Sequence, residues 1–485
     1  MKKGFKLLSL LMACLFVFVL ATGCGSSDNK SGSGDKKGET ANLIWWCIGD
    51  QPKDLDAVQA EINKYLKEKV NATVEFKFAS FGDYTEKMNK VIASGEDYDM
   101  AFTCSWANPF AANAQKGAYY KLNDLLDEYG KDIKDLIPGE LWPAATIKGN
   151  IYAVPAYKDT AFAPYLVFAK EYVDKYNIDY KNINTLEKLE PALKTIKENE
   201  PSMTPLVLTG NEGWHGLFDE FDTIINSEVP VGVQFTDETA TVVNLFKTDI
   251  VMNKLNTLHK YYKEGYINKD APTLTEAPKF RFVYGAHGFP NADVAWAQDG
   301  GYDVVSTLRY QPYFATGSVQ GSMQAISVNS KHPEAAMKVL NLANSDSKFR
   351  NMLAYGLEGK NYQKTGDNTI KLLNDGWNTA AFSQATFFNM YVVDPAPANM
   401  WTDLKEFNKT AKPSPILGFV FDDSKVQTQL AVIKNAYAKY KAQVTTGVAD
   451  PNEVVPKMIK DLEDAGINDV IKEAQDQINA WKASK

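Results

Sequence analysis

The segment LIWWCIGDQP, residues 43–52, decides how the chain begins to fold. Its first five residues are all apolar, which predicts a buried strand, and its Gly and Pro end that strand. Residues 73–78 alternate apolar and polar side chains, which indicates a second strand, and residues 98–103 indicate a third. The opening of the chain therefore supplies three strands of one sheet.

Two helices are predicted between these strands. Apolar residues recur at three- and four-residue steps from about 54 to 70, and again over 82–94, where Gly95 caps the helix. Alternating strands and helices imply a parallel sheet with right-handed crossovers. Such sheets bind ligands beyond the carboxyl ends of their strands, which here carry residues 46–51 and 104–110.

Further strands and helices follow along the rest of the chain. Strands or extended segments are predicted over 165–168, 205–208, 280–284 and 317–328. Helices are predicted over 186–198, 251–262, 333–342, 425–444 and 452–483. The length of the chain, 485 residues, indicates two to three domains.

The N-terminal residues 1–24 are typical of an exported lipoprotein. Three lysines precede an apolar run of fourteen residues and then Ala21-Thr22-Gly23-Cys24. Such a run rises ~21 Å as a helix, short of the ~30 Å hydrocarbon core, so it indicates a signal peptide over 1–23. The tetrapeptide resembles the lipobox, in which the cysteine, here Cys24, is lipidated. An ordinary secretory signal is the alternative.

Residues 24–40 are expected to form a flexible tether. After Cys24 they read GSSDNKSGSGDKKGET, which contains no apolar side chain to bury. We expect the protein to be held at the extracellular face of the cell membrane through its lipid alone. The net charge of −8 argues against nucleic acid as a partner.

The motifs of common catalytic and metal sites do not occur. Cys47 and Cys104 could form a disulfide or remain buried thiols, and neither belongs to a zinc-binding pattern with the scattered histidines. The sequence contains no Gly-x-Ser-x-Gly, phosphate loop or His-Glu-x-x-His. We therefore expect no cofactor, no metal and no enzyme.

Four segments carry, by their order and spacing, a resemblance to a known family. They are residues 43–50, 97–106, 117–126 and 149–155. In these the chain resembles the extracellular solute-binding proteins of ABC importers, the class that includes oligosaccharide- and maltodextrin-binding proteins. The chain resembles even more closely a subfamily of Gram-positive lipoproteins that has an uncharacterised C-terminal region. Its marks are 81–89, 355–362, 418–422, 450–454, 465–467 and 481–482.

The resemblance implies a two-lobe, periplasmic-binding-protein-like (type II) α/β fold with mixed sheets, hinge crossings and a helical C-terminal region. The first lobe would comprise 41–157 and about 320–375, and the second 158–319 and about 376–485. The expected protein is a monomer that captures a solute, in this class an oligosaccharide, and delivers it to the transmembrane subunits of an ABC permease. A surface glycoside hydrolase and a sensor or adhesin are the alternatives.

Sugars stack on aromatic rings and need carboxylate, amide and cationic partners for their hydroxyls. Strand-end loops that mix these residue types therefore supply the candidates, and the resemblance assigns a hydroxyl-accepting role to Asp50. Trp45 is expected in the core, and each candidate could instead be a packing residue. The candidate ligand-binding residues are Trp46, Asp50, Gln51, Trp106, Asn108, Tyr157, Trp214, His287, Tyr355 and Trp377.

Overall fold

A computed structural model describes residues 38–225 and 228–484 of the chain. The elements below all belong to one compact unit, Thr40–Lys485. Cys24, the signal peptide and nearly all of the tether lie outside the described residues. Within the described ranges, no helix is both long and apolar enough to cross a membrane.

Eighteen strands lie within the described residues. The strands are β1 Ala41–Ile48, β2 Ala72–Ala79, β3 Met100–Thr103, β4 Thr146–Ile147, β5 Asn150–Ile151, β6 Val154–Pro155, β7 Pro164–Ala169, β8 Phe221–Thr223, β9 Val231–Gln234, β10 Val243–Asn244, β11 Val283–His287, β12 Val304–Leu308, β13 Tyr313–Phe314, β14 Met323–Ile326, β15 Tyr362–Lys364, β16 Thr369–Leu372, β17 Val392–Val393 and β18 Lys412–Pro413.

Sixteen α-helices lie within the described residues. They are α1 Leu55–Val70, α2 Tyr84–Ser94, α3 Phe110–Gln115, α4 Asn123–Tyr129, α5 Lys131–Leu136, α6 Lys170–Lys175, α7 Glu190–Asn199, α8 Asp249–Lys263, α9 Asp293–Gly300, α10 Thr316–Val319, α11 Pro333–Ser345, α12 Ser347–Tyr355, α13 Met400–Asn408, α14 Gln427–Thr445, α15 Pro451–Asp464 and α16 Ile467–Ala483.

The first sheet has the strand order β2-β1-β3-β14-β6. β1 runs parallel to β2 and β3, whereas β14 runs antiparallel to β3 and β6. This confirms the predicted strand–helix–strand opening. Trp45 is fully buried, and its indole Nε1 donates to Gln324 Oε1 at 2.9 Å, which joins β1 to β14 inside the sheet. The carboxyl ends of β1, β2, β3 and β6 meet at one edge.

The second sheet is antiparallel and has the order β11-β7-β12. One of its faces packs in a core that also receives α7, α8 and the C-terminal helices α14 to α16. The predicted helix over 452–483 is two helices, because Gly466, with φ 94°, has a left-handed backbone that interrupts the run.

Two predicted extended segments differ from the structure. Over 205–208 the chain forms no regular strand, because Pro205 has no N–H to donate and the Leu208 N–H donates to the Asn268 side chain instead. Residues 317–328 contain the end of α10 and then β14, separated by a turn at Gly321.

Three chain segments run side by side between the two cores. Phe162 N–H donates to Tyr313 O at 2.7 Å, and β13 pairs with β18. Trp377 and Ala385 pack in the core of the first sheet, although the predicted boundary near residue 375 assigned them to the second lobe. Both side chains are buried among the apolar residues of the first sheet. The predicted start of the second lobe at about residue 376 is therefore wrong for these two residues.

Candidate functional site

Three aromatic rings lie together at the carboxyl edge of the first sheet, and we call Phe81, Trp106 and Phe382 the aromatic platform. Phe81 follows β2 and Trp106 follows β3, and their side chains are 54% and 51% exposed. Ring centres are 6.4 Å apart for Phe81 and Trp106, with planes only 11° apart. Phe382 lies 6.3 Å from Phe81 and 6.4 Å from Trp106. Exposed rings of this kind offer flat apolar surfaces to a ligand.

The indole of Trp106 is held in a fixed orientation. Its Nε1 donates to Gly321 O at 3.0 Å, and the Phe102 ring lies 5.7 Å away. The ring therefore meets a ligand without first losing much rotational freedom, which lowers the entropic cost of binding.

Polar and charged side chains surround the platform. Asp50 and Gln51 are exposed at the end of β1, beside Gly49, where a Cβ would lie 3.9 Å from the Phe81 ring. On another side, the Lys158 ammonium lies 6.0 Å from the Phe382 ring centre and pairs with Asp159. A ligand stacked on the platform would find both acceptors and donors for its hydroxyl groups.

Two histidines, His215 and His287, lie at one end of the second sheet. This end is the one nearest to the three chain segments that run side by side between the two cores. His287 ends β11, pairs with Pro164 of β7 and meets the Phe162 ring at 4.3 Å. The His215 ring is 5.7 Å from that of His287, and both side chains are exposed.

The environment keeps both imidazoles neutral at pH 7. The pKa of His215 is lowered to about 4. The larger cause is loss of hydration among the surrounding protein atoms, and the smaller is the positive charge of Arg309. The pKa of His287 is lowered to about 4, first by loss of hydration and then by the nearby His215 and Arg309. The Asp159 carboxylate raises this pKa, but its effect is smaller. Neutral imidazoles can both donate and accept hydrogen bonds.

A cavity of ≈ 570 Å³ lies between the two parts of the molecule. Ser105 and Gln320 line it from the first sheet, and Thr223 and Phe419 line it from the second part. Buried Asp222 also lines it; burial raises the pKa of its carboxyl to about 6, and the Ser414 hydroxyl donates to it at 2.6 Å. The volume is in the range of small-molecule sites in proteins.

Four of the ten predicted ligand-binding residues are exposed at these surfaces, and six are held by internal contacts. The exposed ones are Asp50, Gln51, Trp106 and His287. The other six are Trp46, Asn108, Tyr157, Trp214, Tyr355 and Trp377.

Trp46 and Asn108 support the site from inside. Trp46 is 5% exposed and packs between the sheet and α2, where the Lys87 ammonium lies 5.0 Å from its ring. Asn108 is fully buried with φ 46°, and its amide donates to Phe102 O and accepts from Asn113, both at 2.8 Å. Asn108 therefore shapes the turn that presents Trp106, and neither side chain is among the ligand contacts that we propose.

The remaining four also have internal partners. Tyr157 is buried and meets the Phe388 ring at 4.9 Å. The Tyr355 hydroxyl donates to Tyr391 O at 2.9 Å, and the Trp377 indole donates to Leu353 O at 3.0 Å. Trp214 is buried beneath the Arg309 guanidinium, with 5.4 Å between the guanidinium carbon and the ring centre.

Sequence reasoning missed Phe81, Phe382 and His215. Phe81 follows the second predicted strand, so the same strand-end argument that found Trp106 could have found it. His215 directly follows the candidate Trp214 in the sequence. No local signal marks Phe382, because only the folding of residues 381–383 against the first sheet brings it to the platform.

Cys47 and Cys104 are both buried free thiols, so the disulfide alternative is wrong. Within the described part of the chain, no cluster of three or more His, Cys, Asp or Glu side chains is arranged to hold a metal ion.

Comparison with known proteins decides the family. The bacterial extracellular solute-binding protein family matches residues 49–348, and the domain of unknown function DUF3502 matches residues 415–483. The chain belongs to the bacterial extracellular solute-binding protein family. A carbohydrate ABC transporter substrate-binding protein of Streptococcus pneumoniae serotype 4 (strain ATCC BAA-334 / TIGR4) is 31% identical over 494 residues, covering 97% of each chain.

Solved structures of a solute-binding protein agree with this assignment. The N-glycan transport solute-binding protein NgtS from Streptococcus pneumoniae has a TM-score of 0.83 and 29% identity, covering 92% of this chain and 100% of that one. NgtS in complex with Man5GlcNAc has a TM-score of 0.67 and 30% identity, covering 92% and 99%. The predicted two-lobe fold and the predicted role in solute binding are confirmed.

Proposed function

We propose that this protein captures an oligosaccharide between its two lobes and delivers it to the membrane subunits of an ABC importer. The aromatic platform carries the proposal. Two of its three rings are more than half exposed, although burying an aromatic side chain of this size stabilises a protein by about 1.5–3 kcal/mol. A platform beside Asp50, Gln51 and Lys158 matches the alternation of C–H faces and hydroxyl groups on a sugar.

The relatives support the class of ligand and the mode of binding. NgtS is described as transporting N-glycans, and its complexes contain Man1GlcNAc and Man5GlcNAc. The TM-score is 0.83 with one NgtS structure and 0.67 with the Man5GlcNAc complex, a difference expected if the lobes change position when a ligand binds. The protein binds its glycan without cleaving it, as its relatives are named for solute binding.

Titration calorimetry with a panel of glycans, peptides and amino acids tests this function. Saturable heat with a mannose–N-acetylglucosamine oligosaccharide is expected, with none from amino acids or peptides of similar size. The same glycan should be recovered uncleaved after overnight incubation, because binding alone leaves its bonds intact. Binding confined to peptides would contradict the oligosaccharide assignment, and release of shorter sugars would favour a surface glycoside hydrolase.

The first lobe comprises residues 41–157 and the segment that begins at about residue 320. The second lobe comprises residues 158–319 and the C-terminal helices. The signal peptide is 1–23, and the mature protein is anchored through Cys24 and the tether 24–40. Two or three acyl chains on one cysteine would hold it firmly, since each buried CH₂ adds ~0.8 kcal/mol.

Replacing Cys24 with serine should release the protein from a Gram-positive host into the culture medium. The variant lacks the thiol that would carry the lipid, whereas Ser26→Ala, two residues away in the tether, is the matched control and should stay with the membrane. Immunoblots of membrane and medium fractions measure the distribution, and mass spectrometry of the N-terminal peptide identifies the lipid. Wild-type protein in the medium with an unmodified N-terminus would support an ordinary secretory signal instead.

A further inference from the structure

Arg309 lies behind one of the two exposed histidines. It follows β12 and is 8% exposed, and its backbone N–H donates to Pro164 O at 2.8 Å. Its Nη2 atom lies 3.1 Å from His215 Nδ1 and 3.3 Å from Asp219 Oδ2. The Trp214 ring also lies near the guanidinium, with its centre 5.4 Å from the guanidinium carbon. Nη2 thus faces both His215 and Asp219, whereas the buried Nε and Nη1 atoms of the same guanidinium have no hydrogen-bond partner within the described residues.

Two glycines leave the space that this contact needs. A Cβ on Gly216 would lie 1.9 Å from Arg309 Nη1, and a Cβ on Gly285 would lie 2.9 Å from His215 Cβ. Both distances are far shorter than a normal contact, so larger residues at these positions would move the arginine or the histidine. The contact between Arg309 and His215 therefore depends on the backbone around it.

The chemistry of the pair determines where the imidazole carries its proton. A guanidinium has five N–H donors and no acceptor, so His215 Nδ1 must accept the hydrogen bond. In a neutral imidazole the other nitrogen then carries the hydrogen. His215 Nε2 has no hydrogen-bond partner among residues 38–225 and 228–484, and its side chain is exposed.

We propose that Arg309 is a positioning residue that holds His215 as its Nε2–H tautomer, so that Nε2 donates a hydrogen bond to an oxygen of the bound oligosaccharide. This inference rests on the proposed function. His215 thereby becomes a donor only at its exposed nitrogen and selects an acceptor oxygen, a hydroxyl or an acyl carbonyl. A sugar with hydrogen in place of that oxygen would leave the donor unpaired and would bind more weakly.

Gly216→Ala should displace Arg309, because its Cβ would lie 1.9 Å from Arg309 Nη1 and 2.9 Å from Trp214 Nε1. Gly139→Ala is the matched control, because a Cβ there meets nothing within 4 Å. Long-range ¹H–¹⁵N NMR spectra at pH 7 report the tautomer of His215, with His215→Phe used to assign its signals. The wild type and Gly139→Ala should show the Nε2–H form, and Gly216→Ala a mixture of both tautomers.

Calorimetry on the same proteins connects the tautomer to binding. His215→Phe, which keeps a ring but has no donor, should lower glycan affinity about tenfold, the scale of one hydrogen bond. Gly216→Ala should lower it about twofold, because only the Nε2–H fraction of its imidazoles presents the donor, and the double variant should lose no more than His215→Phe alone. A wild-type Nδ1–H tautomer, or unchanged affinity in Gly216→Ala despite mixed tautomers, would overturn the inference. Absence of glycan binding by the wild type would instead refute the proposed function, whatever the tautomer.

Discussion

Replacing Trp106 with alanine should weaken oligosaccharide binding by about 1–3 kcal/mol, or roughly 5- to 150-fold, without unfolding the protein. The indole is 51% exposed, so its removal takes little from the core. Its loss removes the ring surface next to Phe81, together with the Nε1 bond to Gly321 O that fixes its orientation. Titration calorimetry measures the affinity, and thermal unfolding shows whether the fold is kept.

Phe280→Ala is the matched control for this change. Phe280 is 41% exposed, but it precedes β11 and lies at the end of the second sheet opposite to His287. Its removal should leave glycan affinity within twofold of the wild type. If Trp106→Ala binds as tightly as Phe280→Ala, the platform is not the stacking surface, and the ligand must be sought in the cavity lined by Ser105 and Thr223.

The first sheet could be predicted because its signal is local. Apolar runs, helical spacing and the Gly95 cap each lie within a few residues of the element that they specify, and the structure has strands and helices at those places. The same locality identified Trp106, which directly follows β3. Strand ends are specified by sequence, so a residue just beyond one of them can be placed at the edge of the sheet.

Burial on the two faces of a strand could not be predicted in the same way. Trp45 and Trp46 point to opposite faces of β1, and the sequence favoured Trp45 for the core and left Trp46 for the cleft. Helices cover a parallel sheet on both faces, so both indoles are buried. Asn108 presented a related difficulty, since an amide suited to a sugar hydroxyl is equally suited to holding a turn.

Phe382 shows why part of the site depends on tertiary structure. It lies in a short turn, residues 381–383, far along the chain from the other two platform residues. Arg350 of α12 holds this turn. The side chain is fully buried, and its Nη2 donates to Ala381 O at 2.8 Å, its Nε to Thr386 O at 2.7 Å and its Nη1 to Gln384 Oε1 at 3.1 Å.

Arg350→Ala should lower the free energy of unfolding by about 3–5 kcal/mol. Burial lowers the pKa of Arg350 to about 10, so the guanidinium is still charged at pH 7 and its hydrogen bonds to neutral oxygens are charge-assisted. Alanine leaves those buried acceptors unpaired and opens a cavity. Denaturant unfolding measures the change, and Lys348→Ala, exposed on the same helix, should stay within about 0.5 kcal/mol of the wild type.

The same variant should also bind the glycan more weakly, although Arg350 is fully buried and cannot touch a ligand. Without its bonds to residues 381–386, Phe382 loses the support that keeps its ring 6.4 Å from Trp106. Arg350→Lys keeps the charge but has fewer donors in a less rigid geometry, so both effects should be intermediate. A destabilised Arg350→Ala protein with wild-type affinity would mean that the turn contributes to stability alone and that Phe382 does not contact the sugar.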